Sequence, residues 1–123
     1  MYELHVVTDF AAAHNLREYQ GLCENLHGHN WTVEVWVASV HLDRLGMVMD
    51  FKELKALVAE LLGVLDHHYL NEIPPFDTQN PTTENLSRYL AEALADRLPS
   101  HIRVRRVEVW ESPRCSAAYI PDA

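Results

Sequence analysis

Cysteine is scarce: two of the 123 residues, Cys23 and Cys115. Two cysteines cannot make a disulfide scaffold, so a reducing cytosol is the simpler setting and a cytoplasmic location is expected. No apolar run approaches the roughly 20 residues a membrane-spanning helix needs. The start, Met1-Tyr2-Glu3-Leu4-His5, lacks a basic segment followed by an apolar one, so no secretory signal is expected. Positive charge is short as well, with 10 Lys and Arg against 18 Asp and Glu and a formal net charge of −8. An acidic chain repels phosphate backbones, which argues against nucleic acid and against an anionic membrane surface as partner. A small anionic substrate stays open, because a bound metal and a few arginines can reverse the local field.

What remains is ordinary soluble composition, 48% hydrophobic and 23% charged, in a length that fits one domain over residues 1–123. There is no internal repeat or linker. Residues 2–12 read as a strand, with Leu4, Val6, Thr8 and Phe10 alternating with Glu3, His5 and Asp9. Residues 29–40 read as a stronger one, with Val33, Val35 and Val37 on one side and Thr32, Glu34 and Trp36 on the other. Asn15 to Leu26 is a polar loop between them. Asp50-Phe51-Lys52-Glu53 reads as a capping box. After it Phe51, Leu54, Leu57, Val58, Leu61 and Leu62 recur at helical spacing. A second helix is expected to start near Asn80-Pro81-Thr82-Thr83-Glu84, with a threonine cap, the stripe Leu86, Tyr89, Leu90, Ala93, Leu94, and Pro99 as its stop. Strands follow over about 102–111 and 115–120. In the first of these the alternation slips from Ile102 and Val104 to Val107 and Val109, which predicts a β-bulge near Arg105-Arg106. The expected fold is therefore α+β, in the order ββααββ, with two helices covering one face of a four-stranded antiparallel sheet.

Eight histidines are the unusual presence. His27-Gly28-His29 opens the second strand, where residues two apart point to one side, so both imidazoles can reach one ion. Two polar residues starting a strand would look the same. His14, after Phe10-Ala11-Ala12-Ala13, can swing beside them from the end of the neighbouring strand. Three neutral histidines with an open fourth position describe a catalytic zinc site better than a structural one. Cys23 lies four residues before His27; a thiol beside a divalent cation is activated as nucleophile or base, whereas an isolated cysteine is a small buried hydrophobe. Asp66-His67, after the first helix, is either an acid–base pair or a solvated turn. Glu111, in phase with Val107 and Val109, is a strand-end charge or a buried acceptor for a ligand's N–H groups.

Together, Phe10-Ala11-Ala12-Ala13-His14, Cys23-Glu24-Asn25-Leu26-His27-Gly28-His29-Asn30, Met49-Asp50-Phe51, Leu65-Asp66-His67-His68-Tyr69-Leu70-Asn71, Asn80-Pro81-Thr82-Thr83-Glu84 and Glu111 stand in an order that resembles the 6-pyruvoyl-tetrahydropterin synthase superfamily. The resemblance runs from about Tyr2 to Tyr119. It is greatest to the bacterial branch, the 6-carboxy-5,6,7,8-tetrahydropterin synthases of the queuosine pathway. It implies Zn2+ on His14, His27 and His29, a catalytic Cys23, an acid–base pair Asp66 and His67, a pterin-ring anchor at Glu111, and pterin contacts at Thr82 and Thr83. It further implies the tunnelling fold, in which subunits join their sheets into a barrel, usually as a homohexamer with active sites between subunits. The implied substrate is 7,8-dihydroneopterin triphosphate. The implied reaction is its conversion, with loss of triphosphate and acetaldehyde, to 6-carboxy-5,6,7,8-tetrahydropterin. Glu24 directly follows Cys23, and some relatives use a glutamate in this loop to make a folate precursor, so that product, or the pyruvoyl-forming reaction, is the alternative. A non-catalytic zinc- or pterin-binding homologue would have no use for Cys23, Asp66 and His67 together. The His-x-His followed by Glu34 mimics part of a cupin motif, but cupins need many short strands and glycine-rich turns, and only four glycines are present.

Overall fold

The computed structural model describes residues 1–122. In chain order it has β1 (Tyr2–His14), β2 (His27–Ser39), α1 (Phe51–Gly63), β3 (His68–Tyr69), a 3-10 turn (Leu70–Glu72), α2 (Thr83–Ala95), β4 (Arg103–Ser112) and β5 (Cys115–Tyr119). The long strands form where β-branched and aromatic residues alternate with polar ones. Val33, Val35, Val37, Val107 and Val109 are all buried, while Thr32, Glu34 and Trp36 face away and stay half-exposed.

Asp50 caps α1 by accepting from the Lys52 N–H, and Thr82 caps α2 by accepting from the Asn85 N–H at 3.1 Å. Each such cap contributes about 1 kcal/mol. The reciprocal half of the capping box does not form: Glu53 stays exposed in the first turn. α1 buries Leu54, Val58 and Leu62, and Phe51 at its first position is half-exposed. α2 buries Leu86, Leu90 and Leu94 together with Ser87 and Ala91, so its inner face is rotated slightly from the predicted stripe, and it ends at Ala95, ahead of Pro99. Both helices share one core with the inner sheet face, around Phe10, Trp31 and Val35.

The sheet corrects the four-stranded antiparallel expectation. It has five strands in the order β3-β1-β2-β4-β5, and β3 lies parallel to β1, with His68 opposite Ala12 and Tyr69 opposite Ala13. Two residues carry too little alternation to announce a strand. The bulge is where the phase slip put it: Trp36 pairs with Arg106 and Val37 with Val104, leaving Arg105 as the extra residue. Because β3 covers only the last residues of β1, the outer edge of β1 from Tyr2 to Phe10 pairs with no strand among the described residues.

Candidate metal and pterin site

The β1–β2 hairpin register builds the site. His14 stands directly opposite His27, and Ala12 opposite His29, so the three imidazoles are cross-strand and i,i+2 neighbours on the inner face. Glu111, near the end of β4, adds a carboxylate, and one ligand atom from each of the four residues lies within 4.8 Å of the others. Trp31, fully buried, forms the floor, edge-on to His14 and His29 at ring-centroid distances of 4.9 and 5.1 Å.

The hydrogen bonds fix the tautomers. His14 Nδ1 donates to the Pro81 carbonyl at 2.8 Å, and His27 Nδ1 donates to the Asn25 carbonyl at 2.8 Å. A carbonyl can only accept, so in the neutral rings both Nε2 atoms carry lone pairs. Those two Nε2 atoms lie 3.0 Å apart, which repels unless a cation is shared between them. His29 Nε2 is buried without a hydrogen-bond partner, although Glu111 Oε1 lies 2.8 Å away. Burial, then the neighbouring His14 and His27, hold the His29 pKa below the ordinary imidazole value against the pull of Glu111, which keeps it in the neutral, ligating form. Backbone-anchored Nδ1–H groups with converging Nε2 lone pairs are how metal-binding histidines are oriented, so the donor set fits a divalent transition metal.

The other expected residues fall around this cluster unevenly. Glu111 Oε2 accepts from the Thr83 hydroxyl at 3.4 Å. Thr82 and Thr83 line a cleft with His14, Glu24 and Glu111, and a larger cleft of about 720 Å³ on the other side of Glu111 includes His29, Glu34 and Trp110. Asp66 and His67 form their pair, Oδ1 to Nδ1 at 3.0 Å, along the outer edge of β1, where Asp66 also accepts from the Ala11 N–H at 2.9 Å. That backbone bond is the first cause of an Asp66 pKa below the ordinary carboxylate value. His67 is largely exposed and lines a shallow depression shared with His29. Cys23 is exposed on the β1–β2 loop, whereas its neighbour Glu24 lines the cleft together with Leu16 and Tyr19 of the same loop. Sequence reasoning missed Trp31 as a floor and the carbonyls of Asn25 and Pro81 as orienting groups; neither has a signal in residue type.

With this geometry in view, three comparisons place the chain. The sequence model of the family described as 6-pyruvoyl tetrahydropterin synthase matches residues 3–122. The chain is 37% identical over 102 residues to a dihydroneopterin monophosphate aldolase of Pyrococcus furiosus, covering 83% of this chain and 82% of that protein. It is 35% identical over 125 residues to a 6-carboxy-5,6,7,8-tetrahydropterin synthase of Synechocystis, covering 97% and 93%. Among solved structures, the Caenorhabditis elegans 6-pyruvoyl tetrahydropterin synthase superposes with a TM-score of 0.84 at 28% identity, covering 98% of this chain and 96% of that one.

Proposed function

This chain belongs to the 6-pyruvoyl tetrahydropterin synthase family, and on that premise we propose that it is a zinc-dependent lyase converting 7,8-dihydroneopterin triphosphate to 6-carboxy-5,6,7,8-tetrahydropterin. One water is consumed, and triphosphate and acetaldehyde are the other products, as on the queuosine route. The observation that carries the metal-dependent part is the convergence of three imidazoles, two of which, His14 and His27, have their tautomers fixed from behind by backbone carbonyls. A zinc ion bound there supplies Lewis acidity toward the substrate's side-chain oxygens.

The protein's own groups do the rest. Glu111 accepts the amino and ring N–H groups of the pterin, a charge-assisted contact that sets orientation, and Thr83 holds its second oxygen. Thr82 and Thr83 border the ring on the cleft wall. Cys23 takes a proton from the side chain, and His67, held by Asp66, returns one. His67 is exposed on the sheet edge, as a group must be if it serves a site completed by a second copy. Incubation with dihydroneopterin triphosphate and mass spectrometry of the pterin tests the assignment. 6-Carboxytetrahydropterin is expected, and an unchanged substrate in zinc-loaded protein overturns it.

A second reading has its own observation. Glu24 lines the cleft beside His14 and Glu111 while Cys23 does not, and one relative is named an aldolase. A carboxylate base at Glu24 would suit retro-aldol cleavage of the side chain to a folate precursor, and the same mass spectrum would show it.

Assembly into a homohexamer in the cytoplasm completes the proposal. Among the described residues, the uncovered length of β1 beside the two-residue β3 and the short outer strand β5 are edges free to pair between copies, and such edges are covered or blunted in stable proteins. Light scattering at micromolar concentration is expected to report an oligomer; a monomer would count against joined sheets.

A further inference from the structure

We propose that Asn71 and Asn80 are positioning residues that lock the loop carrying Cys23 and Glu24 onto the end of β1. Strand pairing of β1 with β2 stops at His14. Yet the next three residues keep both backbone groups satisfied, by side chains as well as by the loop itself. The Asn15 N–H donates to Asn71 Oδ1 at 3.0 Å, and Asn71 Nδ2 donates to the Asn15 carbonyl at 2.8 Å. Two residues on, the Arg17 N–H donates to Asn80 Oδ1 at 2.8 Å, and Asn80 Nδ2 donates back to the Arg17 carbonyl at 3.1 Å. A side-chain amide has the donor and acceptor of a peptide group side by side, so each asparagine stands in for a neighbouring strand at one rung.

Leu16, between the two clamped residues, is bound by Glu24. Its N–H donates to Glu24 Oε1 at 3.2 Å, and its carbonyl accepts from the Glu24 N–H at 2.8 Å. The Asn15 side chain adds a third tie, donating from Nδ2 to the Glu24 carbonyl at 3.0 Å while its Oδ1 accepts from the Tyr69 hydroxyl at 2.7 Å. The Arg17 guanidinium donates to the carbonyls of Asn71, Phe76 and Gln79 and closes the outer end.

Direction matters in this network. Asn71 is buried and sits just after β3, and Asn80 is fixed by its carbonyl accepting from Asn85 of α2. The rigid elements therefore hold residues 15–17, and residues 15–17 hold the Cys23–Glu24 peptide. One Glu24 oxygen is committed to Leu16, which leaves the other for the cleft. Without the clamps the loop is left with the Arg17 guanidinium and the Tyr69 hydroxyl as its side-chain ties to these elements, neither of which holds the backbone of residues 15–17. An acid or thiol displaced by about 1 Å loses on the order of 10²-fold in rate. The inference rests on the proton-transfer reading of this loop, so its test has an arm that does not.

Zinc-loaded Asn71→Asp and Asn80→Asp keep side-chain size but turn a donating N–H into an oxygen facing a carbonyl. Asn80 is half-buried and gives the variant that folds if Asn71→Asp does not. Expected are full zinc content, little change in KM for dihydroneopterin triphosphate, a kcat lower by on the order of 10²-fold, and amide exchange at Asn15, Leu16, Arg17 and Glu24 faster by about tenfold, as for the loss of about one hydrogen bond. Wild-type kcat, or a loss matched by equal loss of zinc, overturns the positioning role. If wild-type protein makes no pterin at all, the functional reading fails instead, and the exchange rates alone decide: unchanged protection in both variants removes the lock.

Discussion

The wild-type chain is expected to carry one zinc, and His27→Ala and His29→Ala are each expected to strip it. The hairpin register brings the three imidazoles together before any ion arrives, and the carbonyls of Pro81 and Asn25 orient His14 and His27. Outer orienting partners of this kind are worth about 10–100-fold in affinity, and removing a ligand itself costs more. Glu111→Ala separates ligand from anchor. Its Oε1 is near enough to all three imidazoles to be a fourth ligand, at 2.8 Å from His29 and 3.5 Å from His14. As the ring anchor, however, it leaves the fourth position open, as a catalytic zinc requires. Glu111→Ala should therefore keep its zinc and lose pterin affinity. Metal analysis showing full occupancy in both histidine variants would sink the site. Zinc lost from Glu111→Ala would make Glu111 a ligand and leave the ring without its proposed partner.

The same residues show what the sequence could disclose. His27-x-His29 on a strand and His14 at the end of its neighbour were readable because strand alternation says which side chains share a face. That His14 meets His27 in register was not, since hairpin register depends on a loop whose conformation includes left-handed residues at Glu18 and Gln20. The bulge at Arg105 was legible because a phase slip in alternating valines has one simple cause. β3 was not, because its two residues pair by backbone alone. Asp66 and His67 are adjacent in sequence, which left a pair or a solvated turn open; they meet at 3.0 Å with His67 largely exposed. What sequence left open was that they lie along the outer edge of β1, placed there by the Ala11 N–H bond rather than by the metal cluster. The asparagine clamps had no legible signal: an amide that replaces a strand neighbour is chosen by distances between segments 56 and 63 positions apart.

Cys23→Ala is expected to keep zinc and pterin binding, because Cys23 belongs to neither the ligand set nor the ring contacts, and to lose turnover by roughly 10²–10⁴-fold, as for any positioned proton-transfer group. Glu24→Gln is the paired measurement. Glutamine retains an oxygen for the Leu16 N–H, so the loop keeps its staple and only the ionisable oxygen in the cleft is lost. If the thiol carries the proton, Glu24→Gln turns over close to wild type and 6-carboxytetrahydropterin remains the product. Exposure of Cys23 is compatible with this, since a group reached by a substrate lying between two copies must be open in one. The opposite pattern, an active Cys23→Ala and a dead Glu24→Gln with zinc retained, would transfer the base to Glu24. The cleft geometry would then be sufficient within one chain, and the reaction would be side-chain cleavage to a folate precursor. Loss of activity in both, each with zinc retained, would mean that both adjacent residues serve in proton transfer.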